Sequence, residues 1–167
     1  MLSNNVCYTT LKTSDRNAGG TVPRIIVGLD ATPRDAAVLE WVAKFAGDLC
    51  AEVIVVHVIP RTTLWLVSSV QADSDRYVAR VRDRFERDVV PQLRARGISV
   101  TLRVARGDAA STLAAIADKT SSDLIVIGGP DHHALHDAVS SIARRLEHSS
   151  DVPIVLVPQT KAGIHVQ

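Results

Sequence analysis

The chain has 167 residues, 46% hydrophobic and 22% charged, with a formal net charge of +1. That is one ordinary domain, large enough to bury about two-thirds of the surface its unfolded form exposes, so it needs neither disulfides nor a metal for stability. A near-neutral charge gives no prompt for nucleic acid or an anionic membrane as a partner. No stretch approaches the length of a membrane span, and the N-terminus lacks the charged start and apolar core of a signal peptide, so a cytoplasmic protein is expected. Cys7 and Cys50 show no spacing that suggests zinc or a redox pair and are expected to be free thiols.

Residues 1–22 (MLSNNVCYTTLKTSDRNAGGTV) are polar and end near a Gly-Gly pair, which predicts a flexible extension. From Arg24 onward, short β-branched runs alternate with helical patterns. That alternation predicts a parallel sheet covered by helices on both faces. The first run, Arg24 to Asp30, stops at Thr32-Pro33, where a threonine N-cap and a proline at the first helical position predict a helix start. Val38, Val42, Phe45, Ala46 and Leu49 then recur at helical spacing.

The second run is Glu52 to Val58, followed by a loop in which Leu64, Trp65, Leu66 and Val67 are more apolar than a solvated connection needs. A long helix is expected from about Asp73 to Arg96, with Val78, Val81, Phe85, Val89 and Leu93 on one face, a kink at Pro91 and an end at Gly97. The third run, Ile98 to Ala105, alternates apolar and polar residues as an edge strand with one wetter face does. Gly107-Asp108 turns the chain into a helix reaching about Lys119, with Leu113 and Ile116 inward. The fourth run, Asp123 to Gly128, and the fifth, Pro153 to Val157, flank a Gly-led loop and a helix begun by Ser140-Ser141.

In such a sheet a ligand sits outside the carboxyl ends of the strands where the strand order reverses. The ends of the first and fourth strands bring Gly28 and Asp30 towards Gly128 and the loop after it. A carboxylate suits ribose hydroxyls, and backbone amides at a helix N-terminus suit phosphate. Asp30 can equally cap the turn into the first helix, and both readings stay open. Ser141 can hold an anion or cap its helix.

Asp131, His132, His133, His136 and Asp137 form the richest cluster of potential metal ligands, but nothing distant completes a coordination set. A solvated loop is expected there, and no metal. His57, inside the second strand, reads as a packed core histidine. No Ser-His-Asp order, paired acid-base carboxylates or phosphate-binding Gly-x4-Gly-Lys-Ser/Thr motif can be placed, so no catalytic residue is assigned and the protein is expected not to be an enzyme.

These residues resemble the universal stress protein family, through VGLDATP after the first strand, VVHV in the second, VARGD before the third helix, DLIVIGG in the fourth strand and SSIARRLEHSSDVPIVLVP at the end. The likeness spans about residues 24 to 158. It implies a three-layer α/β/α domain over residues 23–160, flavodoxin-like or adenine-nucleotide α-hydrolase-like, with a five-stranded parallel sheet in the order 3-2-1-4-5 and a short tail at 161–167. ATP-binding members carry Gly-x2-Gly-x9-Gly-Ser/Thr after the fourth strand. Here Gly128 matches the first glycine, Asp131 the second, Ser140 the third and Ser141 the hydroxyl, with eight residues between Asp131 and Ser140.

Asp131 directs negative charge towards a phosphate position, and Ser140 adds a side chain where backbone approaches closely. By the resemblance, Asp30, Val58, Ile127 and Gly128 keep the adenosine half of the site, with Gly28 and Ile142 beside them. The resemblance thus implies a non-enzymatic stress protein, regulatory or protective, with a degenerate adenine-nucleotide site. No cofactor is assigned beyond ATP or another adenine nucleotide as candidate ligand. The alternatives are a functional ATP or AMP binder using Asp30 and the 128–141 loop, and a metal-dependent phosphoesterase. The fifth strand, Pro153 to Val157, resembles the family's dimerising edge, so a homodimer is expected.

Overall fold

The computed structural model describes residues 22–63, 71–131 and 141–159. Five strands form one parallel sheet: β1 (Arg24–Leu29), β2 (Glu52–Ile59), β3 (Ser99–Arg106), β4 (Leu124–Asp131) and β5 (Ile154–Gln159), in the order β3-β2-β1-β4-β5. The helices are α1 (Asp35–Leu49), α2 (Gln71–Asp88), α3 (Val90–Arg94), α4 (Ala109–Thr120) and α5 (Ser141–Ser149). The expected topology is the one found.

The sheet separates two apolar clusters, as the near-continuous apolar runs of β1, β2 and β4 require. On one face Ile25, Val27, Val53 and Val55 meet Val38 and Val42 of α1, Phe85 of α2 and Leu93 of α3. On the other, Ile26, Ile54, Val56 and Ile125 meet Leu113 and Ala117 of α4 and Leu146 of α5. Arg24 ties the lower ends of three strands together: its Nε donates to Glu52 at 2.9 Å, its backbone N–H to Asp123 at 2.9 Å and its guanidinium to the Thr120 carbonyl.

Three local expectations change. The long helix breaks at Val89 rather than kinking at Pro91, because a proline offers no N–H and its ring clashes with the carbonyl four residues back. A short α3 restarts with Pro91 in its first turn. The first helix begins at Asp35, not at Thr32-Pro33. Thr32 and Pro33 instead form a turn in which the Asp35 and Ala36 N–H groups donate to the Thr32 and Pro33 carbonyls at 3.0 and 3.4 Å. Cys50, the only cysteine among the described residues, is disulfide-bonded, which overturns the free thiol expected from spacing. Spacing along a chain does not say which thiols meet in space.

The fourth strand also runs on past Gly128 to Asp131, with an irregularity in its register against β5 between these residues. Gly129 explains part of this continuation. A Cβ there would stand 3.3 Å from the Val157 carbonyl oxygen, so glycine lets β4 press against the backbone of β5.

Candidate functional site

β1 and β4 are neighbours, and the chain leaves β1 towards β2 on one side but leaves β4 towards β5 on the other. The helices that follow the two strands therefore part at their carboxyl ends and leave a crevice. A cavity of about 490 Å³ opens there. Gly28, Asp30, Val58, Ile127, Gly128 and Ile142 all line it, so six of the residues singled out in the sequence meet in one place.

Gly28 forms its floor. A Cβ at this position would lie 3.0 Å from Ile127 Cγ2 and 3.1 Å from Leu113 Cδ1, so glycine keeps the space open between β1, β4 and α4. Of the other candidate residues, Asp131 has its backbone at the end of β4 opposite Gln159, and Ser141 opens α5. Ser140 and the histidine cluster 132–137 lie outside the described residues, as do Leu64 to Val67. Among the described residues, no three His, Cys, Asp or Glu side chains gather closely enough to hold a metal ion.

The acidic end of the cavity is more elaborate than the sequence suggested. Asp30 Oδ1 accepts from the Thr32 backbone N–H at 3.0 Å and from the Thr32 hydroxyl at 2.5 Å, so the turn-capping reading of Asp30 holds even as the residue lines the cavity. Asp35, which sequence reasoning missed, reaches back from the start of α1. It accepts the N–H of Asp30 at 3.2 Å and of Ala31 at 2.9 Å. Those bonds hold Ala31 at φ 65, a left-handed conformation that costs a residue with a Cβ about 1–2 kcal/mol.

Two carboxyls in one small site do not ionise alike. Burial works against the Asp30 anion, but hydrogen bonds from Thr32, then Asp35, and the charge of Arg34 outweigh it and hold Asp30 below its ordinary value. Asp35 is pushed up to about 6, first by burial and further by the negative charge of Asp30. Arg34, also missed, lines the same cavity and is its one cation among the described residues. The signal for both was present in the run DATPRD, where charges stand four and five residues after Asp30.

His57 is the core histidine expected. It is 9% exposed, stacks at a tilt on Phe85 with ring centroids 4.9 Å apart, and its Nδ1 donates to the Leu29 carbonyl at 2.9 Å. Burial lowers its pKa, and the bond to Leu29 only partly offsets this. It stiffens the end of β1 just before Asp30.

A doubly wound parallel α/β domain with a mainly apolar cavity at its switch point, acidic at one end, is the class defined by this fold and site. The family model of the universal stress protein family matches residues 21–158. The chain belongs to that family.

Solved structures agree on the fold. A universal stress protein family member from Burkholderia pseudomallei is 22% identical with a TM-score of 0.59, covering 84% of this chain and 98% of that one. A universal stress protein in complex with cAMP is 15% identical with a TM-score of 0.57, covering 84% and 100%. The universal stress protein from Archaeoglobus fulgidus in complex with dAMP is 16% identical with a TM-score of 0.53, covering 82% and 98%. No curated protein matches the chain. Among the described residues, no helix is long and apolar enough to cross a membrane.

Proposed function

We propose that this chain is a non-enzymatic regulatory or protective protein that takes the adenosine end of an adenine nucleotide in the 490 Å³ cavity and holds a triphosphate weakly. The observation that carries the reading is the convergence of Gly28, Val58, Ile127 and Ile142 as apolar walls with Asp30 at one end. Such a volume suits a nucleoside, and a carboxylate suits ribose hydroxyls. Asp131 and Ser140, standing where ATP-binding relatives have glycines, disfavour the phosphate end. The ligands named for the two complexed relatives are cAMP and dAMP, both monophosphates.

His57 supports the non-enzymatic part, because its Nδ1 is committed to the Leu29 carbonyl and its ring to Phe85. β5 ends the sheet with Ile154, Val155 and Leu156 only half-buried, which suits a homodimer formed through this edge. A cytoplasmic location accords with the family.

Isothermal titration with adenosine, AMP, cAMP, ADP and ATP tests the proposal. AMP or cAMP should bind at least as tightly as ATP, and Asp131→Gly should raise affinity for ATP alone. Micromolar ATP binding, tighter than that of AMP, would overturn the degenerate phosphate site. It would favour the second reading, a functional ATP or AMP binder. Arg34 is the observation on that side, since a guanidinium on the cavity wall can hold phosphate where the glycines are missing. Under the second reading Arg34→Ala weakens ATP far more than adenosine.

A further inference from the structure

Among the described residues, the sheet carries a second cavity, larger than the one at the switch point. A groove of about 1120 Å³ follows β3, bounded by α4 on one side and reaching Arg82 of α2 on the other. Its position follows from the register. Thr101, Arg103 and Ala105 align with Ile54, Val56 and Val58 of β2 and so face the side of the sheet that α4 and α5 cover. Those helices lie over the centre of the sheet and leave Thr101 and Arg103 exposed. Among the described residues, β2 is the only strand paired with β3, so the outer edge of β3 offers backbone N–H and C=O groups without a strand partner.

The charge of this groove is one-sided. Arg61, Arg82, Arg103, Arg106 and Lys119 line it, against the single carboxylate of Asp108. Asp108 is committed to Arg145 and to the N-terminus of α4, and Arg106 pairs with Asp75. Arg61, Arg82, Arg103 and Lys119 are exposed and have no ion-pair partner among the described residues. In a chain of net charge +1 that is a local concentration of cations on an open strand edge.

We propose that this groove docks an acidic segment of a partner protein in extended conformation, which adds a strand to the outer edge of β3. Main-chain pairing along an open edge supplies affinity, and side chains at alternate positions supply selectivity. Carboxylates at those alternate positions share one face of the added strand and meet Arg103 and Lys119 on the α4 flank. A second copy of this chain does not fit, because two-fold pairing would set the same cations against each other. The chain's own stretches outside the described residues hold only Asp15 and Asp137 as acidic residues, so the acidic segment comes from elsewhere. Single-stranded nucleic acid has no backbone to complete a sheet, and no aromatic side chain lines the groove for bases to stack on.

Fluorescence anisotropy with a labelled peptide of alternating valine and glutamate tests this, beside an N-methylated version of the peptide and an oligouridylate of equal charge. The unmethylated peptide should bind with marked salt dependence. The double variant R103E/K119E should weaken it about tenfold or more. N-methylation, which removes strand pairing but no charge, should weaken it comparably. Both side chains are exposed, so the variant should keep the wild-type far-ultraviolet circular dichroism; if it does not, R61E serves as the replacement. Three results overturn the proposal: tighter binding of the oligouridylate than of the peptide, equal binding of the two peptides, or peptide affinity unchanged by charge reversal.

Discussion

The backbone N–H of Asp30 donates to Oδ1 of Asp35 at 3.2 Å, which joins the last residue before the cavity turn to the first residue of α1. The bond brings two carboxyls together on the cavity wall. It also ties a ligand-facing group to the geometry of the helix start, so a change of charge at Asp35 is felt at Asp30.

Stability should fall as pH rises through the titration of Asp35. The Asp35 carboxyl sits at about 6 in the folded chain against 3.8 as its ordinary value, so the native state binds the extra proton between those limits. Its stabilising contribution is complete below about 4 and lost as pH climbs through about 6. The full shift is discounted for the partial exposure of Asp35, leaving about 1–2 kcal/mol. The lowered pKa of His57 acts in the opposite sense in this window, so the test is a difference: urea denaturation should show stability falling more steeply with pH in the wild type than in Asp35→Asn. Equal pH dependence in the two proteins would rule out the raised Asp35 titration.

Gly28→Ala should close the cavity from below. Its new Cβ would press on Ile127 Cγ2 at 3.0 Å and Leu113 Cδ1 at 3.1 Å, both in a packed cluster with little room to retreat. Overpacking of this kind costs about 1–3 kcal/mol. A drop in Tm and a loss of adenosine binding by titration calorimetry should therefore appear together. If binding survives unchanged, the ligand does not sit on Gly28.

Asp108 joins two helices. It caps α4 by accepting the Ser111 N–H at 3.0 Å and hydroxyl at 2.9 Å, and it pairs with Arg145 of α5. Arg145 first, then Ser111, hold its carboxyl well below the usual carboxylate range. With the folded value depressed, the contribution is present above an unfolded value of about 4 and is lost as pH falls below it. Asp108→Ala should cost about 1 kcal/mol through the cap. Arg145→Ala should cost much less, because both partners are exposed. Denaturation in low and high salt should show that only the Arg145 effect fades with salt.

The strand order and both apolar clusters were legible because parallel strands buried on two faces write themselves as β-branched runs. β3 showed its edge position through alternation, and Asp108 announced its helix. What the sequence hid depends on backbone geometry. Thr32-Pro33 carries every local mark of a helix start, yet Asp35 claims the N–H groups of Asp30 and Ala31 and moves the start to itself. Arg34 and Asp35 looked like ordinary helix-surface charges for the same reason. The cationic groove was invisible because Arg61, Arg82, Arg103 and Lys119 come from four separate segments that only the register of β3 brings together.

Phe85 gives a last prediction that links packing to titration. It is 2% exposed, the largest fully buried side chain among the described residues, and carries the apolar face of α2 onto β2 beside His57. Truncation to alanine removes that ring and leaves a space the neighbours cannot fill, for a cost of about 3–5 kcal/mol. Phe85→Leu keeps most of the volume and should cost under about 2 kcal/mol. In the leucine variant His57 loses a stacked neighbour and gains access to water. Its pKa is lowered chiefly by burial, so it should move up towards the ordinary 6.5 while the Leu29 hydrogen bond persists. Titration of the His57 Cε1–H resonance by NMR reads this directly. A value that stays put in Phe85→Leu would show that the Phe85 ring is not what shields this imidazole.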